Sequence, residues 1–366
     1  LSSLDIKINN ITESGIGMTI PAYRNDVTRE VDVVEEILRV YGYNKIKFKA
    51  KLNASISKSS RFADHKVQQV IGNLLADQGF NEILNNSLTN PEYAVLNDAF
   101  KADYSVKMLN PLSTDLSVMR QSLLFSGLEV LAFNTNRRQP DLKLFEFGKS
   151  YHNFPGGREE HKHLTVFLSG NNNAESWNAP QKPASFFNLK STVETVLSRL
   201  GISDWSVKPV KNAQFSEGLS YTINKKTVVE FGVVVKTIRN HFDLDQEILF
   251  ADFNWDVVLE LIKQNKISFK PIPKNPAVRR DFALLLNKDV LFDDIYQEAH
   301  NVEKNLLKNV ALFDVYEGAN LPEGKKSYAV SFTLQDENKT LTDKEIDKIM
   351  QKLQRRFEDR FEATLR

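Results

Sequence analysis

Cysteine is absent from all 366 residues. That excludes disulfides and thiolate zinc sites, and it fits a reducing, cytoplasmic setting. No apolar run approaches the roughly 20 residues of a membrane span, and no leader-like segment opens the chain. A charge bias is missing too: 48 Lys+Arg against 47 Asp+Glu leave a formal net charge of +1. Any contact with nucleic acid or an anionic surface must therefore come from local patches. There is no P-loop, no G-x-S-x-G and no H-E-x-x-H. The Gly15–Gly17 pair lacks a third glycine and a following helix, so it reads as a turn. What is present is a chain 41% hydrophobic, long enough at roughly 100–200 residues per domain for two or three globular domains. It begins at Leu1, and "LSSLDIKI" reads as a helix end entering a strand, as in a piece of a longer polypeptide.

Three blocks follow from the patterning. Residues 1–48 read strand, strand, helix, with "LDIKI", "GMTIPAY" and a helix over about 28–41. The polar stretch 49–61 reads as a linker. The second block, 49–265, opens with an amphipathic helix carrying Val67, Val70, Ile71, Leu74 and Leu75 at helical spacing, with Gly79 as its C-cap. Strands "SVKML", "DLKLFEFGKSYH", "HKHLTVFLSG" and "KTVVEFGVVV" then mix with helices "MRQSLLFSGLEVLAFNTNR" and "FFNLKSTVETVLSRLG". Without a βαβ rhythm, this points to a mainly antiparallel α+β domain. A proline-rich stretch, 266–278, stays extended. Beyond it, block 266–366 reads βαββαβ, the ferredoxin-like split arrangement, its second helix beginning at Thr342.

Two constellations carry possible chemistry. Asp32, Glu35 and Glu36 stand at i, i+3 and i+4 of the first helix, so their carboxylates share a face, and Asp26 lies just upstream. Oxygen donors without nitrogen or sulfur suit a hard cation such as Mg²⁺. Equally, acids in a first turn complement the helix dipole. Val31, Val34, Leu38 and Tyr41 form a separate stripe available for burial. In the last block, Arg279 and Arg280 enter the first strand, while Lys348, Lys352, Arg355 and Arg356 make a basic helical face able to meet phosphates. From Lys270 to Arg366 there are 17 basic and 17 acidic residues, so a solvated, salt-bridged face explains the same pattern. His152, His161 and His163 lack an evident carboxylate or thiolate partner for zinc, and no nucleophile–base constellation is visible in the sequence.

The stretch "IPAYRNDVTREVDVVEEILRVYGYNKI" closely resembles the end of the short domain that precedes the catalytic-like module in bacterial phenylalanine–tRNA ligase beta subunits. "NPLSTDLSVMRQSLL" with "NTNRRQPDLKLFEFGKSY" resembles the core of that module, and "PAVRRDFALLL" with its βαββαβ tail is similar to the anticodon-binding domain. The resemblance implies an α+β architecture: a partial winged-helix-like segment, an inactive class II synthetase-like antiparallel module and a C-terminal ferredoxin-like domain. It implies a partner alpha subunit, in a heterotetramer of two alpha and two beta, that holds the active site for phenylalanine, ATP and the tRNA(Phe) 3′ end. It also implies a Mg²⁺ shared with alpha through Asp26, Asp32, Glu35 and Glu36, and anticodon contacts from the last domain. No Phe-Arg-x-Glu is present, and Leu142 and Phe145 stand where an arginine would be wanted, so this chain alone is expected to be inactive. "LLFSGL" at 123–128 and "SEGLSY" at 216–221 depart from the family pattern. The alternative is a stand-alone RNA- or protein-binding scaffold.

Overall fold

The computed structural model describes residues 1–47, 63–264, 269, 271–318 and 320–366. The linker expected at 49–61 and part of that at 266–278 lie outside them. The chain divides into two compact units, Leu1–Ser60 and Arg61–Arg366.

In the first unit, β1 (Lys7–Thr12) and β2 (Gly15–Thr19) form an antiparallel hairpin, followed by α1 (Glu30–Tyr41). Gly17 sits inside β2, not in a turn: a Cβ there would stand 2.0 Å from Asn10 Oδ1. The strand expected at "LDIKI" begins three residues later, at Lys7, after a 3₁₀ turn over Ser2–Leu4. Ile6, Val27 and Val33 form the small core. The stripe expected to be buried is instead exposed at Val31, Val34 and Tyr41. The inward face is the one through Val33, and it carries Glu36 inward with it.

The second unit is built on a seven-stranded sheet ordered β3-β6-β7-β11-β10-β9-β8. The strands are β3 (Asn81–Glu82), β6 (Leu142–Phe154), β7 (Gly157–Ser169), β8 (Ser206–Pro209), β9 (Phe215–Ile223), β10 (Lys226–Val234) and β11 (Ile248–Asn254). Every pairing is antiparallel except β3–β6. Beside it, β4 (Leu88–Thr89) pairs with β5 (Val118–Met119). Residues 105–109 contribute one bridge, Lys107 to Val118, rather than the expected strand.

Because side chains alternate along a strand, the sheet has two distinct faces. Phe145, Val166, Ala251 and Phe231 pack one face against α2 (Asp64–Asp77), α4 (Phe186–Arg199) and α6 (Trp255–Gln264). Leu144, Phe167 and Phe250 pack the other against α3 (Leu124–Thr135) and α5 (Lys236–His241). Gly79, at φ 85°, follows the end of α2, where a left-handed residue stops a helix. At Gly127 within "LLFSGL" a Cβ would lie 2.1 Å from the Phe167 ring, so α3 reaches the sheet only with glycine there.

The C-terminal part carries its own core and a four-stranded antiparallel sheet ordered β13-β14-β12-β15. Its elements are β12 (Val278–Asn287), α7 (Phe292–Val302), β13 (Leu307–Tyr316), β14 (Lys325–Leu334), α8 (Asp343–Phe361) and β15 (Thr364–Leu365). This is βαββαβ with ferredoxin strand order. Ile346, Met350, Leu353 and Phe357 of α8 and Ile295 and Ala299 of α7 cover one face. Thr342 caps α8 with Glu345, whose carboxylate accepts the Thr342 N–H at 2.9 Å.

Candidate functional site

The acids of the first unit do not converge as a cation cage. Asp32 turns toward its own helix start, where its Oδ2 accepts the N–H of Thr28 at 3.0 Å and of Arg29 at 2.7 Å. Those bonds lower its pKa to about 2. Arg24 fills the space between Asp26 and Glu36, with Nη2 2.8 Å from Asp26 Oδ2 and 3.1 Å from Glu36 Oε1. Arg39 takes the second Glu36 oxygen at 2.6 Å. The Arg24 hydrogen bond holds the Asp26 carboxyl below its usual range, and Asp26 in turn raises the guanidinium's pKa. Glu35 is exposed. Among the described residues no group of three or more His, Cys, Asp or Glu is placed to hold a metal. Buried Glu36 is thus balanced by a guanidinium, and the donor set does not fit Mg²⁺ as this chain holds it.

In the ferredoxin-like part, alternation sends Arg279 and Arg280 to opposite faces of β12. Arg280 lies on the helix side, 3.4 Å from Asp343 at the start of α8. Arg279 lies on the sheet face that neither helix covers, its guanidinium 5.0 Å from the centre of the exposed Phe313 ring. Asp281 accepts from its Nε at 2.8 Å. Lys348, Lys352, Arg355 and Arg356 are exposed along α8. Arg356, however, bonds with Arg360 to Glu298, a carboxylate 1% exposed on α7. Arg356 therefore pins α8 to α7, and the basic helical face is smaller than the spacing suggested. Phe313 was missed in the sequence because only the cross-strand register brings it beside Arg279.

The seven-stranded sheet carries a polar row that no local motif announces. Ser220, Glu230, Asp252, Thr165 and Glu146 stand opposite one another across five strands, on one face. Arg120 crosses this face over Gly148, where a Cβ would sit 2.4 Å from its Nη2. It reaches Glu146 Oε1 at 2.8 Å, both side chains being almost fully buried. Beside it, Ser150 Oγ lies 2.8 Å from His163 Nε2, and His163 Nδ1 lies 2.7 Å from Asp252 Oδ1. This is the nucleophile–base–acid order of acyl transfer, a constellation the sequence hid because Ser150 and Asp252 are far apart in the chain. Ser150 is 0% exposed, and its oxygen is also 3.2 Å from His152 Nε2. No substrate carbonyl reaches it, so the trio braces the sheet. The His152 and His161 rings lie tilted to each other, their centres 5.6 Å apart.

Three family models match in order: tRNA synthetase B5 domain over 1–43, phenylalanyl tRNA synthetase beta chain CLM domain over 49–255, and ferredoxin-fold anticodon binding domain over 273–366. A phenylalanine–tRNA ligase beta subunit of Bacteroides thetaiotaomicron is 45% identical over 380 residues, covering 100% of this chain and 46% of its own length. Those of Porphyromonas gingivalis and Fusobacterium nucleatum are 40% and 32% identical with the same coverage. The chain therefore spans about half the length of the curated relatives it matches. No helix among the described residues is long and apolar enough to cross a membrane. By the 49–255 match and these relatives, the chain belongs to the phenylalanyl-tRNA synthetase beta chain family.

Proposed function

We propose that this chain is the C-terminal part of a cytoplasmic phenylalanine–tRNA ligase beta subunit, working with an alpha subunit that carries the active site. The holoenzyme, two alpha and two beta, joins phenylalanine to tRNA(Phe) with ATP. In this reading, 1–48 is the end of a winged-helix-like domain, 49–265 a class II synthetase-like module acting as scaffold, and 266–366 the anticodon-binding domain. The sheet's polar face supports the scaffold role: its buried Arg120 is paired with Glu146, and its His163 with Asp252.

The observation that carries the RNA role is the uncovered face of the C-terminal sheet, where Arg279 and exposed Phe313 stand together. Splayed loop bases stack on such aromatic and guanidinium planes, while Arg280, Lys348, Lys352 and Arg355 offer phosphate contacts. Arg356, held by Glu298, contributes less. Mg²⁺ shared with alpha would require Arg24 to leave Asp26 and Glu36 and the partner to complete the shell.

The test is tRNA(Phe) binding and aminoacylation by the full-length beta subunit reconstituted with alpha. Phe313→Ala should weaken binding by the roughly 1–3 kcal/mol of one stacked base. Arg279→Ala should also flatten the salt dependence by about one unit of slope. Affinity and salt slope unchanged in both variants would sink the proposal. Mg²⁺ titration of Asp32→Ala/Glu36→Ala in the same assay decides the ion.

A further inference from the structure

A cavity of about 160 Å³ opens on the polar face of the seven-stranded sheet, between β7, β10, β11 and the segment entering β9. By the share of liquid volume each water takes, it has room for about five. Its wall sets two carboxylates, Glu230 and Asp252, among amide and hydroxyl groups. Gln214 is 8% exposed, and its Oε1 is buried with no hydrogen-bond partner among the described residues. Glu230 accepts from Asn212 Nδ2 at 3.2 Å through Oε2 alone, and Asp252 from His163 through Oδ1 alone. Both carboxylates thus bring negative charge to the wall. A buried acceptor with no donor costs free energy comparable to a lost hydrogen bond, so Gln214 Oε1, set in one wall with the Glu230 and Asp252 carboxylates, defines a need for N–H groups.

No Lys or Arg lines the cavity, and the one basic ring there, His163, has both nitrogens engaged by Ser150 and Asp252. Two aromatic residues also line it, Phe215 and Phe250, which stack on each other at 6.0 Å and give the site an apolar side. Burial raises the pKa of Glu230, the sign of a carboxylate lacking its counter-charge.

We propose that this cavity is a binding site for a small organic ammonium, its N–H groups satisfying Gln214 Oε1, Glu230 and Asp252 and its alkyl part lying on Phe215 and Phe250. The charge pattern excludes carboxylates and phosphates, and the volume excludes a nucleotide. The site does not depend on the ligase reading, since its donors and acceptors all lie on this sheet or on the segment entering β9.

The test is saturation-transfer NMR on the whole chain with ethylammonium, and with propionate as the charge-reversed probe carrying the same ethyl group. Ethylammonium should bind with a dissociation constant on the order of 1–10 mM, near the efficiency limit for so few atoms, and propionate should not. Glu230→Gln should weaken it roughly tenfold or more, as loss of a charged hydrogen bond does. Should that variant fold poorly by circular dichroism, Gln214→Leu, which removes the unpartnered acceptor at similar size, carries the same expectation. No ethylammonium signal, equal binding of both probes, or binding unchanged in the folded variants would overturn the proposal.

Discussion

Arg120 and Glu146 make the sharpest test of how the seven-stranded sheet is held. Their side chains are 4% and 0% exposed, and the pair closes at 2.8 Å. Glu146 also accepts the N–H and Nδ2 of Asn85, at 3.2 and 2.8 Å, and Arg120 gives Nε to the Lys149 carbonyl at 3.0 Å. Arg120→Met leaves a buried carboxylate without its cation, and Glu146→Leu does the reverse. Each should cost about 3–5 kcal/mol, the usual cost of leaving one such charge buried alone. With a urea slope of about 3 kcal/mol/M, the midpoint should fall by about 1–1.7 M. The double variant removes both charges and should lose less than either single change, because apolar replacements of a whole buried pair are often near neutral. Urea unfolding followed by tryptophan fluorescence and circular dichroism reads all three. Single variants within about 1 kcal/mol of the parent, or a double variant equal to their sum, would refute the claim that the pair is a coupled, buried charge cluster.

Gly127→Ala should destabilise the second unit by about 1–3 kcal/mol, since its methyl group meets the fully buried Phe167 ring and the core is already filled; thermal melting would show it. Burial pushes the His152 pKa down to about 4, with His161 and His163 adding to the shift. Its neutral form therefore favours folding above the ordinary 6.5, and that stability drains away as pH falls toward 4. A His152→Gln variant should lose less stability over that window in urea titrations at stepped pH. For His163, burial lowers the pKa but Asp252 outweighs it and raises the value. Its contribution is complete below 6.5 and lost as pH rises through the raised value, so Asp252→Asn should cost more at pH 6 than at pH 9. Arg356→Ala should lower the unfolding midpoint more than Lys352→Ala, because only the former frees buried Glu298; equal midpoints would count against its structural role.

The C-terminal fold was legible because each of its elements announces itself locally. Phe282, Leu284 and Leu286 alternate along β12, and Ile346, Ile349, Met350, Leu353 and Phe357 repeat at helical spacing behind the Thr342 cap. Long hairpin strands β6 and β7 were equally plain. What could not be read was set by partners distant in the chain. Residues 105–109 have strand composition but find only one bridge partner. The face of α1 that turns inward is chosen by Val27 and Ile6, not by the longer apolar stripe, and so Glu36 went in and Val31 stayed out. The same cause hid the candidate sites. Three acids at helical spacing with Asp26 just upstream read as ligands for one ion, yet Arg24, in the loop before the helix, sits between Asp26 and Glu36. Ser150, His163 and Asp252 meet only through strand register.

Arg24 has a consequence for how this unit behaves in the hands of an experimenter. A counter-ion fixed to the backbone a few residues from Asp26 cannot be diluted away, dialysed out or stripped by a chelator, and its local concentration is set by a short tether rather than by the buffer. The first unit should therefore keep its helix in EDTA. Any divalent ion arriving from outside must outbid a permanent resident.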